Sequence, residues 1–159
     1  MKNLLITAMA WMFILVSCTS ANQKMKANAE DLKFKGDWEI TNVTYEKGYK
    51  VKSFDEADAQ CFIGSHWRLI SNNNSGAYTI NGGGNCPSLT QPIKFEVTKN
   101  NEFKFKKLLS NVKAKNITSG YILQVERQDA DHFTLVQDVE FEGKTLKVYY
   151  KFARTGMQQ

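Results

Sequence analysis

Apolar and polar residues alternate with a period of two over most of the chain from Phe34 onward. The clearest stretch lies in the second half, where Ile93, Phe95 and Val97 fall on one face and polar residues fall between them. A period of two is typical of β-strands that bury one face of a sheet. Turn residues such as Asn100-Asn101 separate about eight such segments. The pattern therefore predicts an antiparallel meander.

A meander of that many strands usually closes on itself, because closure leaves no edge strand unpaired. We therefore predict an all-β fold, an eight-stranded antiparallel up-and-down barrel, which has room for side chains or for one small ligand. Ser53 and Glu56 have capping-box spacing and predict a short helix after the first strand. The run Gly82-Gly83-Gly84-Asn85, with Pro87, predicts a flexible loop around Cys86.

The first eighteen residues follow a different pattern, which is that of a lipoprotein export signal. Lys2 supplies the positive start, residues 4–16 supply a mostly apolar run, and Leu15-Val16-Ser17-Cys18 matches a lipobox. The apolar run is too short to span a bilayer, which needs about 20 residues. We expect residues 1–17 to be removed and Cys18 to be lipidated, with palmitate as one acyl group. The less favoured alternative is a plain signal peptide with an incidental cysteine.

Residues 18–33 are polar and are interpreted as a membrane tether, which leaves 34–155 as one domain. Thr19, rather than an aspartate, follows the lipobox cysteine, so nothing favours retention in an inner membrane. The N-terminal region resembles that of Bacteroidetes-type outer-membrane lipoproteins. The resemblance implies a cell-envelope protein anchored in the outer membrane by its acyl chains, on a face that the sequence does not specify.

The chain contains three cysteines. If Cys18 is acylated, Cys61 and Cys86 remain, and an oxidising envelope favours a disulfide between them. Such a bond would close a loop of about 26 residues and contribute about 3.5 kcal/mol to stability. The alternative is a metal-binding or redox pair, which is less favoured because C-x-x-C spacing and a second set of ligands are absent.

The formal net charge is +5, from 21 basic and 16 acidic residues. The lysines are spread along strand-like segments, which is typical of a solvated outer face. Together with an envelope location, this spread argues against nucleic acid as a partner, although weak attraction to anionic membranes is compatible with it. The lysines concerned are Lys94, Lys99, Lys104, Lys106, Lys107, Lys113, Lys115, Lys147 and Lys151.

Two motifs at the ends of the predicted domain resemble those of the lipocalin family. Gly36-Asp37-Trp38 matches the Gly-x-Trp that opens the first lipocalin strand, and Arg154 matches the arginine that closes the last. The second family motif is matched only at its centre, by Ala130-Asp131-His132, which favours a divergent bacterial branch. The resemblance covers about residues 34–155. It implies that Gly36, Trp38 and Arg154 close one barrel end, with Arg154 packed on the Trp38 ring.

The lipocalin resemblance also implies a small hydrophobic ligand, of the fatty acid or lysophospholipid type, held inside the barrel. The candidate ligand-binding residues are aromatic side chains on the predicted inner face. For any one of them, simple core filling is the more frequent role. The candidates are Trp67, Tyr78, Phe95, Phe103, Phe105, Tyr121, Phe133 and Tyr150.

Motifs for catalysis are missing from the sequence. Gly-x-Ser-x-Gly does not occur, and Gly82-Gly83-Gly84 lacks the lysine of a phosphate-binding loop. His66 and His132 are far apart and are interpreted as surface or rim residues rather than as a base or metal ligands. We therefore expect no enzyme activity, no cofactor and no metal.

Two alternatives remain open at this point. The first concerns an acidic patch, which comprises Asp55, Glu56 and Asp58. We interpret the patch as favourable charge at a helix N-terminus, and the less favoured alternative is a cation site. The whole domain could also be a non-enzymatic interaction module, a filled barrel that docks another envelope protein. A packed interior with an exposed apolar patch near Cys61 and Phe62 would favour that function. A pocket of a few hundred Å³ lined by the candidate aromatic residues would instead favour ligand binding.

Overall fold

The computed structural model describes residues 33–156, and the prediction of an eight-stranded antiparallel barrel is confirmed. Two additional strands, β2 (Lys52–Ser53) and β3 (Ala57–Asp58), form a separate small hairpin. The barrel strands are β1 (Gly36–Thr44), β4 (His66–Ile70), β5 (Ser75–Gly83), β6 (Cys86–Val97), β7 (Glu102–Lys107), β8 (Tyr121–Gln128), β9 (His132–Phe141) and β10 (Lys144–Gly156).

The barrel closes through β1, which pairs with β4 on one side and with β10 on the other. From β4 to β10, each strand pairs with the next along the chain. Trp38 of β1 lies opposite both Trp67 of β4 and Arg154 of β10. All eight strands therefore have two neighbours, and the sheet has no free edge. Within the described residues, no helix is long and apolar enough to cross a membrane.

Alternation along the strands separates the core from the outer surface, as predicted. Phe95 of β6 faces Phe105 of β7 across the ladder, and both side chains are buried. Their sequence neighbours Lys94 and Lys106 form the adjacent cross-strand pair on the outer face. This period-two arrangement is what places the predicted aromatic residues inside the barrel.

The β6–β7 turn is where it was predicted, whereas the glycine-rich run differs from its prediction. Asn101 has φ 58° in the predicted β6–β7 turn, where an asparagine tolerates the left-handed conformation. The glycine-rich run is not a loop. β5 extends to Gly83, β6 begins at Cys86, and those two residues pair across a two-residue turn. Gly84, at φ 57°, supplies the positive φ that such a tight turn requires.

The helix after the first strand is present, but it begins later than predicted and is a single 3₁₀ turn, Ala59–Phe62. Asp58 caps it by accepting a hydrogen bond from the Gln60 backbone N–H at 2.9 Å. The capping-box interpretation of Ser53 and Glu56 is wrong, because the backbone of those two residues closes the β2–β3 turn. A backbone reversal, rather than a helix start, explains their three-residue spacing.

The disulfide between Cys61 and Cys86 is confirmed, with an S–S distance of 2.03 Å and Cα atoms 5.4 Å apart. It joins the 3₁₀ helix that follows the small hairpin to the start of β6. One end of the hairpin segment is therefore covalently fixed to the barrel wall.

Candidate functional site

One end of the barrel is sealed by residues of the barrel strands and of the segment just before β1. We call it the closed end, and it comprises Phe34, Trp38, Phe103, Phe133 and Arg154. The Arg154 guanidinium lies 4.0 Å from the centre of the Trp38 ring, as the lipocalin resemblance implied. Trp38 is fully buried, and its indole N–H donates to the Phe34 carbonyl oxygen at 2.9 Å.

Arg154 also fixes the neighbouring chain segments. Its Nη1 donates to the Lys35 carbonyl oxygen at 2.9 Å, and its Nε donates to the Ala130 carbonyl oxygen at 2.7 Å. Gly36 has φ 137°, and a Cβ there would lie 2.5 Å from Arg154 Nη1. Only glycine therefore fits beside the guanidinium, which gives the Gly-x-Trp spacing a physical reason.

The candidate ligand-binding aromatics form one packed core inside the barrel. Trp67 stacks on Tyr78 with ring centres 4.8 Å apart, and Phe95 stacks on Phe103 at 5.6 Å. Tyr121 is half-buried, while the other candidates are buried. The structure brings all of these residues together, and their role in ligand binding remains a prediction.

The opposite end of the barrel, which we call the mouth, is occupied by a side chain that the sequence analysis missed. Phe54 lies at the tip of the β2–β3 hairpin, and its ring points into the barrel, with only 2% of the residue exposed. We call residues 52–58 the stopper hairpin. The rings around Phe54 belong to Phe105 at 5.0 Å, Phe62 at 5.1 Å, Tyr150 at 5.3 Å, Tyr121 at 5.4 Å and Trp67 at 6.2 Å between ring centres.

The backbone at the tip of the stopper hairpin is strained. Phe54 has φ 52° and Asp55 has φ 51°, and the Glu56 N–H donates to the Ser53 carbonyl oxygen at 3.0 Å. Such turns favour Asn and Gly, and a bulky residue at positive φ costs about 1–3 kcal/mol. Burying a phenylalanine side chain stabilises the folded state by about 1.5–3 kcal/mol. The packing of the Phe54 ring in the mouth therefore offsets the strain of its backbone.

A carboxylate holds the stopper hairpin to the barrel wall. Glu56 Oε2 accepts from Lys107 Nζ at 2.9 Å and from the Tyr78 hydroxyl at 3.2 Å. Lys107 Nζ also donates to the Phe54 carbonyl oxygen at 3.0 Å. The Lys107 and Glu56 side chains are each only 20% exposed, so this ion pair is partly shielded from water.

Two further tyrosines bind the hairpin backbone and side chains. The Tyr121 hydroxyl lies 2.8 Å from both the Phe54 carbonyl oxygen and Asp55 Oδ2, and it donates its proton to this pair of acceptors. The Tyr150 hydroxyl donates to Gln137 Oε1 at 2.8 Å and lies 2.5 Å from Ser53 Oγ. Every residue from Ser53 to Glu56 therefore has a polar contact with the barrel.

The three mouth tyrosines remain protonated donors over a wide pH range. Burial raises the pKa of Tyr78, and the nearby Glu56 carboxylate raises it further. Burial also raises the pKa of Tyr121, with a second contribution from Asp55. Burial is the main cause of the raised pKa of Tyr150. These hydroxyls are suited to binding acceptors such as carboxylates.

The acidic patch divides between two roles in the structure. Asp58 caps the 3₁₀ helix, as the interpretation of helix-terminal charge implied. That interpretation is wrong for Asp55 and Glu56, which bind mouth residues instead. Among residues 33–156, no group of three or more His, Cys, Asp or Glu side chains is arranged to hold a metal ion.

Both histidines lie on the surface, in agreement with the sequence analysis. The His66 side chain is 55% exposed, with Nδ1 3.8 Å from Glu39 Oε2. The His132 side chain is 63% exposed, with Nδ1 3.4 Å from Asp129 Oδ1. Neither histidine points into the barrel.

A groove of about 620 Å³ lies on the outer face of the barrel, beneath residues 114–120 of the β7–β8 connection. Lysines and Ile122 line its wall, and Ile122 is 58% exposed. Leu109 and Val112, in the same connection, are also exposed. The lysines in the lining are Lys94, Lys104, Lys106 and Lys115.

Comparison with known proteins finds similar solved structures but no family assignment. No protein-family model and no curated protein matches the chain. The bovine lipocalin allergen Bos d 2 is similar at 13% identity and a TM-score of 0.45, over 82% of this chain and 77% of that one. A deswapped triple mutant of bovine odorant-binding protein is similar at 9% identity and a TM-score of 0.41, over 77% and 74%. We draw no functional conclusion from likenesses this distant.

Proposed function

We propose that the protein is a lipid-anchored envelope lipoprotein that binds a small hydrophobic molecule, of the fatty acid or lysophospholipid type, in its barrel. The observation that supports this most strongly is the stopper hairpin. Its Phe54 ring occupies the mouth from a segment with strained backbone that lies outside the barrel sheet, whereas barrel strands supply most of the core. A strained residue inserted in an opening is a feature that proteins retain at functional sites.

Removal of the stopper would uncover an apolar cup with polar groups at its rim. The cup walls are the rings that now contact Phe54, such as Phe62 and Phe105. The rim carries the hydroxyls of Tyr78 and Tyr121 and the ammonium of Lys107. A mainly apolar lining with a few oriented polar groups is typical of small-molecule sites.

Native mass spectrometry with lipid extraction, on the full chain purified from its own envelope, tests the binding function. We expect a co-purifying apolar molecule that is lost on Phe105→Asp and retained on Ile122→Asp. The two substitutions are matched, because the first places a charge inside the barrel and the second places it on the outer face. Near-ultraviolet circular dichroism identifies variants that fold. An empty wild-type protein that also fails to bind a fluorescent fatty acid would contradict the proposal.

The anchoring part of the proposal concerns residues outside the described range. The signal peptide (1–17), the lipidated Cys18 and most of the tether (18–33) precede residue 33, so their support is the sequence pattern. Cys18→Ser should move the protein from the membrane to the soluble fraction and abolish incorporation of labelled palmitate. Continued membrane association without labelling would contradict lipid anchoring.

The outer groove favours a second candidate function, docking of another envelope protein. Phe62 is buried, and beside it Ile63 is 45% exposed. More exposed apolar residues lie near the outer groove than beside Phe62. They are Leu109, Val112 and Ile122. Site-specific photo-crosslinking from position 122 in cells should capture one defined protein if this function operates, whereas position 63 is the matched control. An absence of adducts at position 122 would count against it.

A further inference from the structure

The tip of the stopper hairpin presents two chemical groups to the barrel. One is the apolar ring of Phe54, buried among the rings of the mouth. The other is the carboxylate of Glu56, which is bound by Lys107 Nζ and the Tyr78 hydroxyl. An apolar body next to a carboxylate is the composition of a small amphipathic acid. The hairpin therefore fills the mouth with the groups that such an acid would supply.

We infer that the stopper hairpin is a tethered occupant of the binding site, and that the free ligand is an apolar molecule with a carboxylate that replaces Glu56 on Lys107 and Tyr78. This inference rests on the proposed ligand-binding function. It adds the chemical class of the ligand and the step that admits it. The body of the ligand takes the place of the Phe54 ring, and the hairpin moves out of the mouth.

The hairpin is built so that it can leave while the barrel remains closed. Its own ladder consists of two residue pairs, Lys52 with Asp58 and Ser53 with Ala57. It lies outside the closed barrel sheet, so its departure breaks no pairing between barrel strands. On one side it follows residues 45–50, where Gly48 has φ 93°. On the other side the Cys61 disulfide limits how far the segment moves.

A tethered occupant makes a quantitative prediction about affinity. If a site is open for only a fraction of the time, its apparent affinity for every ligand equals the affinity of the open site multiplied by that fraction. A substitution that weakens closure should therefore strengthen the binding of any apolar ligand. A substitution of the group that binds the carboxylate should instead remove the preference for an acid over its ester. Substitution of Glu56 should weaken closure, and substitution of Lys107 should remove the group that binds the carboxylate.

The experiment titrates the full-length protein with 11-(dansylamino)undecanoic acid and with its methyl ester, following dansyl fluorescence. For the wild type we expect the acid to bind about tenfold more tightly than the ester, because a charged hydrogen bond is lost with the ester. Glu56→Gln should strengthen both by about tenfold and leave their ratio unchanged. Lys107→Gln should bring the ratio to about one. Lys104→Gln, which removes a lysine on the outer face of the same strand, should match the wild type.

The outcomes separate the failure of this inference from that of the proposed function. Absence of binding by every variant, including Glu56→Gln, would overturn both. Binding with equal affinity for acid and ester, or an acid preference that survives Lys107→Gln, would overturn the inference and leave the binding function. Affinities unchanged by Glu56→Gln would show that the hairpin does not compete. Thermal unfolding of each variant shows that the comparison is made between folded proteins.

Discussion

The two ends of the barrel are both filled by aromatic rings, but different parts of the chain supply them. At the closed end, Trp38 is part of a barrel strand, and Arg154 fixes it through a cation–π contact and bonds to backbone oxygens. At the mouth, Phe54 belongs to an added hairpin and has a positive φ. Side-chain contacts such as Glu56 with Lys107 hold it there. The closed end is thus part of the barrel framework, whereas the mouth is sealed by a segment that lies outside the barrel sheet.

The largest expected effect is at the closed end. Trp38→Ala should lower the free energy of unfolding by about 3–5 kcal/mol, because it removes a fully buried ring and the surface on which Arg154 packs. Urea denaturation of the wild type and the variant measures this. Trp38→Phe keeps part of the ring and should cost less. A near-neutral Trp38→Ala would contradict the structural role of this end.

The next effect concerns the covalent link beside the mouth. Replacing Cys61 and Cys86 together by serine should cost about 3.5 kcal/mol, because the unfolded chain regains the entropy of an open loop of about 26 residues. Denaturation with and without a reducing agent measures it. Reduction should destabilise the wild type and leave the double variant unchanged. Equal stability of the oxidised wild type and the double variant would contradict this contribution.

A pH-dependent effect should distinguish the mouth from the closed end. The folded-state pKa values of Tyr78 and Tyr150 are raised above the ordinary value of 10.0. Their stabilising contribution is therefore complete well below pH 10 and is lost as the pH rises above it, by about 1.4 kcal/mol for each tyrosine at pH 11. Stability measured between pH 8 and pH 11 tests this, and Tyr78→Phe should flatten the decline. If the stability of Tyr78→Phe falls as steeply with pH as that of the wild type, groups other than Tyr78 cause the decline.

The smallest effect tests the strained tip of the hairpin. Phe54→Gly should be more stable than Phe54→Ala by about 1 kcal/mol, because glycine adopts φ 52° without steric cost. In an ordinary strand the order would be reversed. Denaturation of both variants measures the difference, with Phe105→Gly and Phe105→Ala as the matched pair on a barrel strand. Alanine more stable than glycine at both positions would contradict a strained tip.

Much of the framework could be predicted from the sequence because its determinants are local. Alternation in segments such as 93–97 specifies which residues point inward, and Asn101 marks a turn. Trp38 and Arg154 could be paired because the lipocalin resemblance implied their contact, and the position of Arg154 on the apolar side of its strand agreed with it. The disulfide followed from the number of cysteines and the expected compartment.

The mouth was harder to predict because its contacts join distant parts of the chain. Glu56 and Lys107 are 51 residues apart, and their partnership depends on where the hairpin folds back. Phe54 occupies a turn position that normally carries Asn or Gly, so no turn signal marks it. The capping-box spacing of Ser53 and Glu56 also matches a tight turn, and sequence alone does not separate the two.

The most direct test of the account is hydrogen–deuterium exchange of the full-length protein with and without 11-(dansylamino)undecanoic acid. The amide of Glu56, which donates within the hairpin turn, and that of Ala59, which donates to Val51, report the closed hairpin. We expect the bound probe to accelerate exchange at residues 52–59 and to leave residues 36–40 of the closed end unchanged. Saturation with the probe while the hairpin keeps or gains protection would contradict the claim that the hairpin and the ligand occupy the same site.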